Sequence, residues 1–216
     1  MPRIPRGQVS GFAYHVINRG NGGATVFQKD GDYRAFLDLL ATAKIKHPVM
    51  LLGFCLMPNH FHLLVQPKTP EALSAFMQWA LTAHVRRYHK HYRSHGHVWQ
   101  GRFKSFSIQQ DEHLLCVLRY VLRNPVRARL AEKPDQWPWS SFQQGYLIDP
   151  LPVPLPPDWN RLIETPLSLQ ELSRIRTCVN RQAPFGSPHW QTMIAKLLGL
   201  VSSLTPRGRP RKIPEK

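Results

Sequence analysis

Cysteine is scarce in this 216-residue chain, and the three present, Cys55, Cys116 and Cys178, are far apart with no CxxC pair among them. An odd, scattered set argues against a disulfide framework and for a reducing compartment. Long apolar runs are missing as well. No window approaches the length that crosses a bilayer, and the opening MPRIPRGQVS lacks the apolar segment of a secretory signal. A cytoplasmic location is expected. Acids are the third shortage: 13 Asp and Glu stand against 29 Lys and Arg, for a formal charge of +16 and a pI near 10.4. Such a field favours a polyanionic partner.

The shortage of acids has a location. Between Leu39 and Gln110 the only acid is Glu71, while Lys44, Lys46, Lys68, Arg86, Arg87, Lys90, Arg93, Arg102 and Lys104 share that span. From Thr82 to Lys104 cations and histidines alternate with Tyr88, Tyr92, Trp99 and Phe103. Cations track phosphates and rings offer stacking platforms to unpaired bases, although any single ring here also reads as core.

The pattern of apolar residues predicts an ordered set of elements. Residues 11–18, GFAYHVIN, read as a strand ending in the loop Arg19-Gly20-Asn21-Gly22-Gly23. Asp30 or Asp32 caps a helix whose Tyr33, Phe36, Leu39, Leu40 and Ala43 fall on one face. Val49–Met57 reads as a buried strand, Pro58-Asn59 breaks it, and NHFHLLV continues as another. Pro70-Glu71 opens a second helix, 102–109 alternates like a strand, and Asp111 caps a third helix that meets Asn124-Pro125. Strand, helix, strand, strand, helix, strand is the order of a split βαβ, or ferredoxin-like, α+β fold: an antiparallel sheet with helices on one face and the other free for a ligand. Residues 1–145 form the expected main domain. Residues 146–216 hold a Pro-rich linker (DPLPVPLPPDW), a short helical stretch from Leu167 to Val179 and a basic tail.

Two imidazoles stand one residue apart in NHFHLLV. On a strand, His60, His62, Leu64 and Gln66 face one way and Phe61, Leu63 and Val65 the other. The two rings then lie roughly 6.5 to 7 Å apart at the backbone and can grip one metal ion. Two satisfied histidines are the plainer alternative. Two ligands do not close a tetrahedral zinc centre, but they leave positions open for water and phosphate oxygens. On the third helix Tyr120 lies on the flank of the apolar stripe with His113, Cys116, Asn124 and Arg127. A phenol beside a metal-polarised phosphate can attack phosphorus, and Asn124, four residues on, can reach the same centre. The competing readings are a half-buried aromatic for Tyr120 and a helix N-cap before Pro125 for Asn124.

LMPNHFHLLVQP, VWQGRFKSF and RYVLRNPVRARL, in this order across residues 8–145, resemble the REP-associated tyrosine transposases, relatives of the single-tyrosine HUH transposases. That resemblance implies His60, His62 and Asn124 as ligands of a divalent ion, Mg2+ or Mn2+, and Tyr120 as nucleophile. Softness favours Mn2+ at imidazole. It further implies a ferredoxin-like sheet crossed by the catalytic helix, and cleavage and rejoining of single-stranded DNA at hairpin-forming repeats through a 5′-phosphotyrosine. DNA contacts are expected from Arg19, Arg86, Arg87, Lys90, Arg93, Arg102, Lys104 and Arg127. Arg207, Arg209 and Arg211 join them in a tail similar to a minor-groove hook. Two other readings stand beside it: a non-catalytic single-stranded nucleic-acid-binding module, and a zinc-stabilised regulator.

The one-signed charge yields a first prediction. Affinity for a single-stranded hairpin, measured from 50 to 200 mM salt, falls linearly on a log–log plot with a slope of about −0.7 per phosphate neutralised. A flat dependence contradicts the assignment of the basic span to phosphates.

Overall fold

The computed structural model describes residues 8–205. Within them the chain forms β1 (Ala13–Arg19), α1 (Asp30–Lys46), β2 (Val49–Met57), β3 (His60–Pro67), α2 (Ala72–Tyr92), β4 (Lys104–Ile108), α3 (Glu112–Leu122) and α4 (Asn124–Arg127). After 3-10 turns and an irregular proline-rich stretch come α5 (Trp159–Glu164), α6 (Leu169–Arg181) and α7 (Pro188–Leu197). The strands make one antiparallel sheet in the order β2-β3-β1-β4. This is the α+β, ferredoxin-like arrangement expected from the sequence.

Alternation along β3 decides which residues meet which helices. Phe61, Leu63 and Val65 enter a core with Phe36, Leu40, Phe76, Met77 and Ala80 of α1 and α2. Leu64 enters a second core on the other face with Val117, Leu118, Tyr120 and Val121 of α3. Burial of each such side chain contributes about 1.5–3 kcal/mol. Asp111 is the N-cap of α3, accepting from the His113 amide at 2.8 Å. At α1 the acid works one turn later than a cap: Asp32 reaches back to accept from the Gln28 and Lys29 amides.

The second face is not free. Besides α3, the side chains of Ile163, Leu167, Ile175, Cys178, Ala183 and Phe185 pack into the same core, so the C-terminal helices cover what the sequence reading left open to a ligand. The reason is long-range pairing that no local pattern announces. At the edge of β4, Phe185 donates its amide to Ser107 O at 2.8 Å and accepts from Gln109 at 2.9 Å. At the edge of β2, Leu56 N donates to Trp139 O at 2.8 Å and Ser141 N to Phe54 O at 2.9 Å. Both exposed edges, an aggregation hazard when bare, are thereby paired. Gly53 sits where the β2 register shifts, and a Cβ there would meet Leu118 Cδ1 at 2.6 Å. Its lack of a side chain is what lets α3 lie close on the sheet.

Phe185 closes β4 and packs beside α3, fully buried. Phe185→Ala is expected to lower unfolding stability in urea by about 3–5 kcal/mol. A loss below about 1 kcal/mol would mean that the segment around Phe185 does not seat α3.

Candidate active site

His60 and His62 face the same side of β3, with ring centroids 5.0 Å apart. Tyr120, in the last turn of α3, has its ring centroid 5.7 Å from that of His62. The two imidazoles and the phenol therefore converge, although strand and helix are far apart in the chain. Tyr120 is 5% exposed, yet its hydroxyl has no hydrogen-bond partner among the described residues and is not one of the sealed polar atoms. Arg127 of α4 lays its guanidinium over the Tyr120 ring, 4.7 Å from the centroid.

Asn124 has an unexpected first task. Its amide nitrogen donates to the carbonyls of Tyr120 at 2.9 Å and Val121 at 3.3 Å, and its Oδ1 accepts from Arg127 Nη1 at 3.2 Å. The side chain thus satisfies carbonyls that the end of α3 would leave orphaned, rather than capping the helix begun by Pro125.

Two residues that the sequence reading passed over complete the group. His15, on β1, is wholly buried, and its Nε2 lies 2.8 Å from His62 Nδ1. Asn59, in the turn before β3, takes the Nδ1 proton of His60 on its Oδ1 at 2.7 Å and donates its own Nδ2 to Gly23 O at 3.1 Å. A lone histidine in the apolar run GFAYHVIN was the available signal for His15.

Burial holds all three imidazoles neutral. It lowers His15 to about 3, with a smaller push from His60, and His60 to about 4, with help from Arg19 and Arg127. His62 falls well below its ordinary value, first through burial and then through His15, His60 and Arg127. A neutral imidazole offers a lone pair. His62 Nε2 is buried with no partner, and Asn59 occupies His60 Nδ1, so each ring keeps its Nε2 for a cation. That donor set fits a divalent ion with open positions. Among the described residues no Cys, Asp, Glu or further His closes the site into a tetrahedral centre; the grouping with metal-ligand spacing is Asp111, Glu112 and His113 at the start of α3. There Asp111 Oδ1 already accepts from the His113 amide and lies 2.8 Å from the His113 ring nitrogen Nδ1.

The expected DNA contacts separate into groups. Arg19, opposite His60 in the β1–β3 register, joins Arg102 and Lys104 along a groove of about 420 Å³ with Asn18, Gln100 and Asn180. Arg127 lies over the tyrosine. Arg86, Arg87, Lys90 and Arg93 sit at the far end of α2 and its cap, in the layer on the other side of the sheet, where Arg87 leans 3.8 Å from Asp32. Arg207, Arg209 and Arg211 lie outside the described residues.

The buried histidines make stability depend on pH. Unfolded, each takes a proton near pH 6.5; folded, His60 and His84 resist until about 4 and His15 until about 3. The unfolded chain binds more protons in that window, so their contribution is complete at high pH and is lost as pH falls. Denaturant unfolding of the metal-free chain is expected to show stability lower at pH 5 than at pH 6.5 by roughly 1 kcal/mol or more. Equal values contradict neutral burial.

Comparison with known proteins agrees with this fold. The family described as "Transposase IS200 like" matches residues 8–124. A Haemophilus influenzae protein named "Putative REP-associated tyrosine transposase" is 31% identical over 124 residues, 52% of this chain and 68% of that one. A solved structure of a REP-associated tyrosine transposase bound to a REP hairpin superposes with a TM-score of 0.56 at 16% identity, covering 71% of this chain and 92% of the other. At that identity the superposition speaks for the fold. The chain belongs to the IS200-like transposase family, with a REP-associated tyrosine transposase among its relatives, and is an enzyme that nicks and joins DNA.

Proposed function

We propose that the protein cleaves and rejoins single-stranded DNA at hairpin-forming repeats through a phosphotyrosine on Tyr120, with a divalent cation, Mg2+ or Mn2+, held by His60 and His62. The observation that carries this reading is the convergence of the His62 and Tyr120 rings at 5.7 Å beside His60. The hairpin preference is brought over from the relative solved with a REP hairpin. A bound cation supplies charge neutralisation at the scissile phosphate.

The residues of the chain do the rest. The Tyr120 oxygen gives up its proton and bonds to phosphorus, the bond from phosphorus to the 3′ oxygen breaks, and that oxygen leaves as a hydroxyl. The product is a 5′-phosphotyrosine. A second 3′-hydroxyl attacks the same phosphorus, restores the phenol and joins the strands, so no nucleotide cofactor is consumed. Arg127, over the ring and close enough to depress both histidines, presents a fixed positive charge where the phosphate gathers negative charge. Arg19, Arg102 and Lys104 line a route along which the backbone of the strand runs. In this reading Asn124 adds a ligand only by turning its Oδ1 from Arg127. Arg207, Arg209 and Arg211 supply further cations for DNA.

A non-catalytic module would need an open sheet face, and that face is covered by α3 and the C-terminal helices. Incubating the protein with a labelled single-stranded hairpin and Mn2+ is expected to give a denaturant-resistant protein–DNA adduct. Tyr120→Phe should bind the hairpin normally while adduct formation falls on the order of 10⁴-fold. Adduct formation by the variant contradicts the assignment of the nucleophile.

A further inference from the structure

We propose that His15 and Asn59 are positioning residues that set the orientation and tautomer of the two metal-ligating rings, so that both offer Nε2 to one cation. This rests on the metal-site reading above. Only the unprotonated nitrogen of a neutral imidazole can bind a cation, so a ligand histidine works when something else fixes its proton on the other nitrogen.

For His60 the fixing group is Asn59. Its Nδ2 donates to Gly23 O at 3.1 Å, which settles the end of the amide turned toward His60 as oxygen. An amide oxygen only accepts, so the 2.7 Å contact places the His60 proton on Nδ1 and the lone pair on Nε2. The Asn59 carbonyl also accepts from Gly20 N at 2.8 Å. The glycine-rich loop after Arg19 thereby holds the residue that aims His60.

For His62 the fixing group is His15. Between His62 Nδ1 and His15 Nε2, 2.8 Å apart, one proton is shared out. If His15 donates it, His62 carries its proton on Nε2 and a buried N–H faces the site without an acceptor. If His62 donates it, His15 keeps its own proton on Nδ1, sealed without an acceptor, but His62 Nε2 is a lone pair that a cation at the site can take up, and the arrangement matches that of His60: both rings anchored through Nδ1, both Nε2 atoms available. His15 is held for this task. It is completely buried, 4.9 Å from the Phe106 ring and 6.2 Å from that of Tyr120. Its Nδ1 is sealed with no partner, a cost that an apolar residue of similar shape would avoid. Pure core packing does not account for a histidine there; accepting from His62 does.

The test uses the full chain and three variants, His15→Phe, His15→Gln and Asn59→Ala. Mn2+ binding is followed by calorimetry with and without a single-stranded hairpin, and 15N NMR of the imidazoles under saturating Mg2+ reads the tautomers. The parent chain is expected to show both His60 and His62 protonated on Nδ1. His15→Phe and Asn59→Ala should each weaken Mn2+ binding about 10- to 100-fold, with His15→Gln, which keeps an acceptor, recovering most of the loss. In Asn59→Ala the His60 tautomer should become mixed while His62 is unchanged. Parental Mn2+ affinity in a folded His15→Phe or Asn59→Ala overturns the role of that residue, and an unshifted tautomer does the same. Should His15→Phe fail to fold, a His15→Gln that binds Mn2+ as poorly as His62→Ala overturns the acceptor role. If the parent chain shows no saturable Mn2+ binding, or His60→Ala and His62→Ala leave it unchanged, the metal-site reading itself fails.

Discussion

The seating of α3 against the histidine face of the sheet is the constraint on which the active site depends. His60 and His62 take their direction from the pleat, but Tyr120 reaches them only because a helix remote in sequence lies close over β3 and β2. A missing side chain at Gly53 makes room for Leu118, and Leu114, Val117 and Val121 bury the helix face beside it. The C-terminal segment closes over the outside through Phe185 and Ile175. The proline-rich, C-terminal part of the chain thus helps to hold Tyr120 in place.

The electrostatics follow from the same packing. Three imidazoles under a helix lose their hydration and stay neutral, and the nearby arginines push in the same direction. Neutral rings are the ligating form, yet two of them amid Arg19 and Arg127 bring no negative charge to offset a divalent ion. Phosphate brings it. In the proposed reading a cation, a strand of DNA and this set of side chains are therefore complementary as a threesome in a way that no pair of them is.

The sheet and its first helices were legible in the sequence because local periodicity carries them. The Phe61-Leu63-Val65 alternation, the cap at Asp111, the reach of Asp32 back to the start of α1 and the break at Pro58-Asn59 all act within a few residues. The shared direction of His60 and His62 followed from the same rule. The coverage of the second face was not legible: the pairing of Phe185 with Ser107 and of Trp139 with Leu56 joins segments distant in sequence, and neither has a strand pattern of its own. Nor was the part played by His15. One histidine in an apolar run says nothing of its neighbour until the β1–β3 register places it beside His62. Asn124 shows the opposite case, a residue with two sound local readings that the structure occupies in a third way, bonding back to the carbonyls of α3.

The central claim is that one cation and one phosphate meet between β3 and α3. Crystals of Tyr120→Phe with a single-stranded hairpin and Mn2+, measured for anomalous scattering, test it most directly. The account predicts an ion bonded to the Nε2 atoms of His60 and His62, with the scissile phosphorus about 3–3.5 Å from where the tyrosine oxygen would stand. An ion seated instead at Asp111, Glu112 and His113, or a phosphate far from the ring of residue 120, would contradict it.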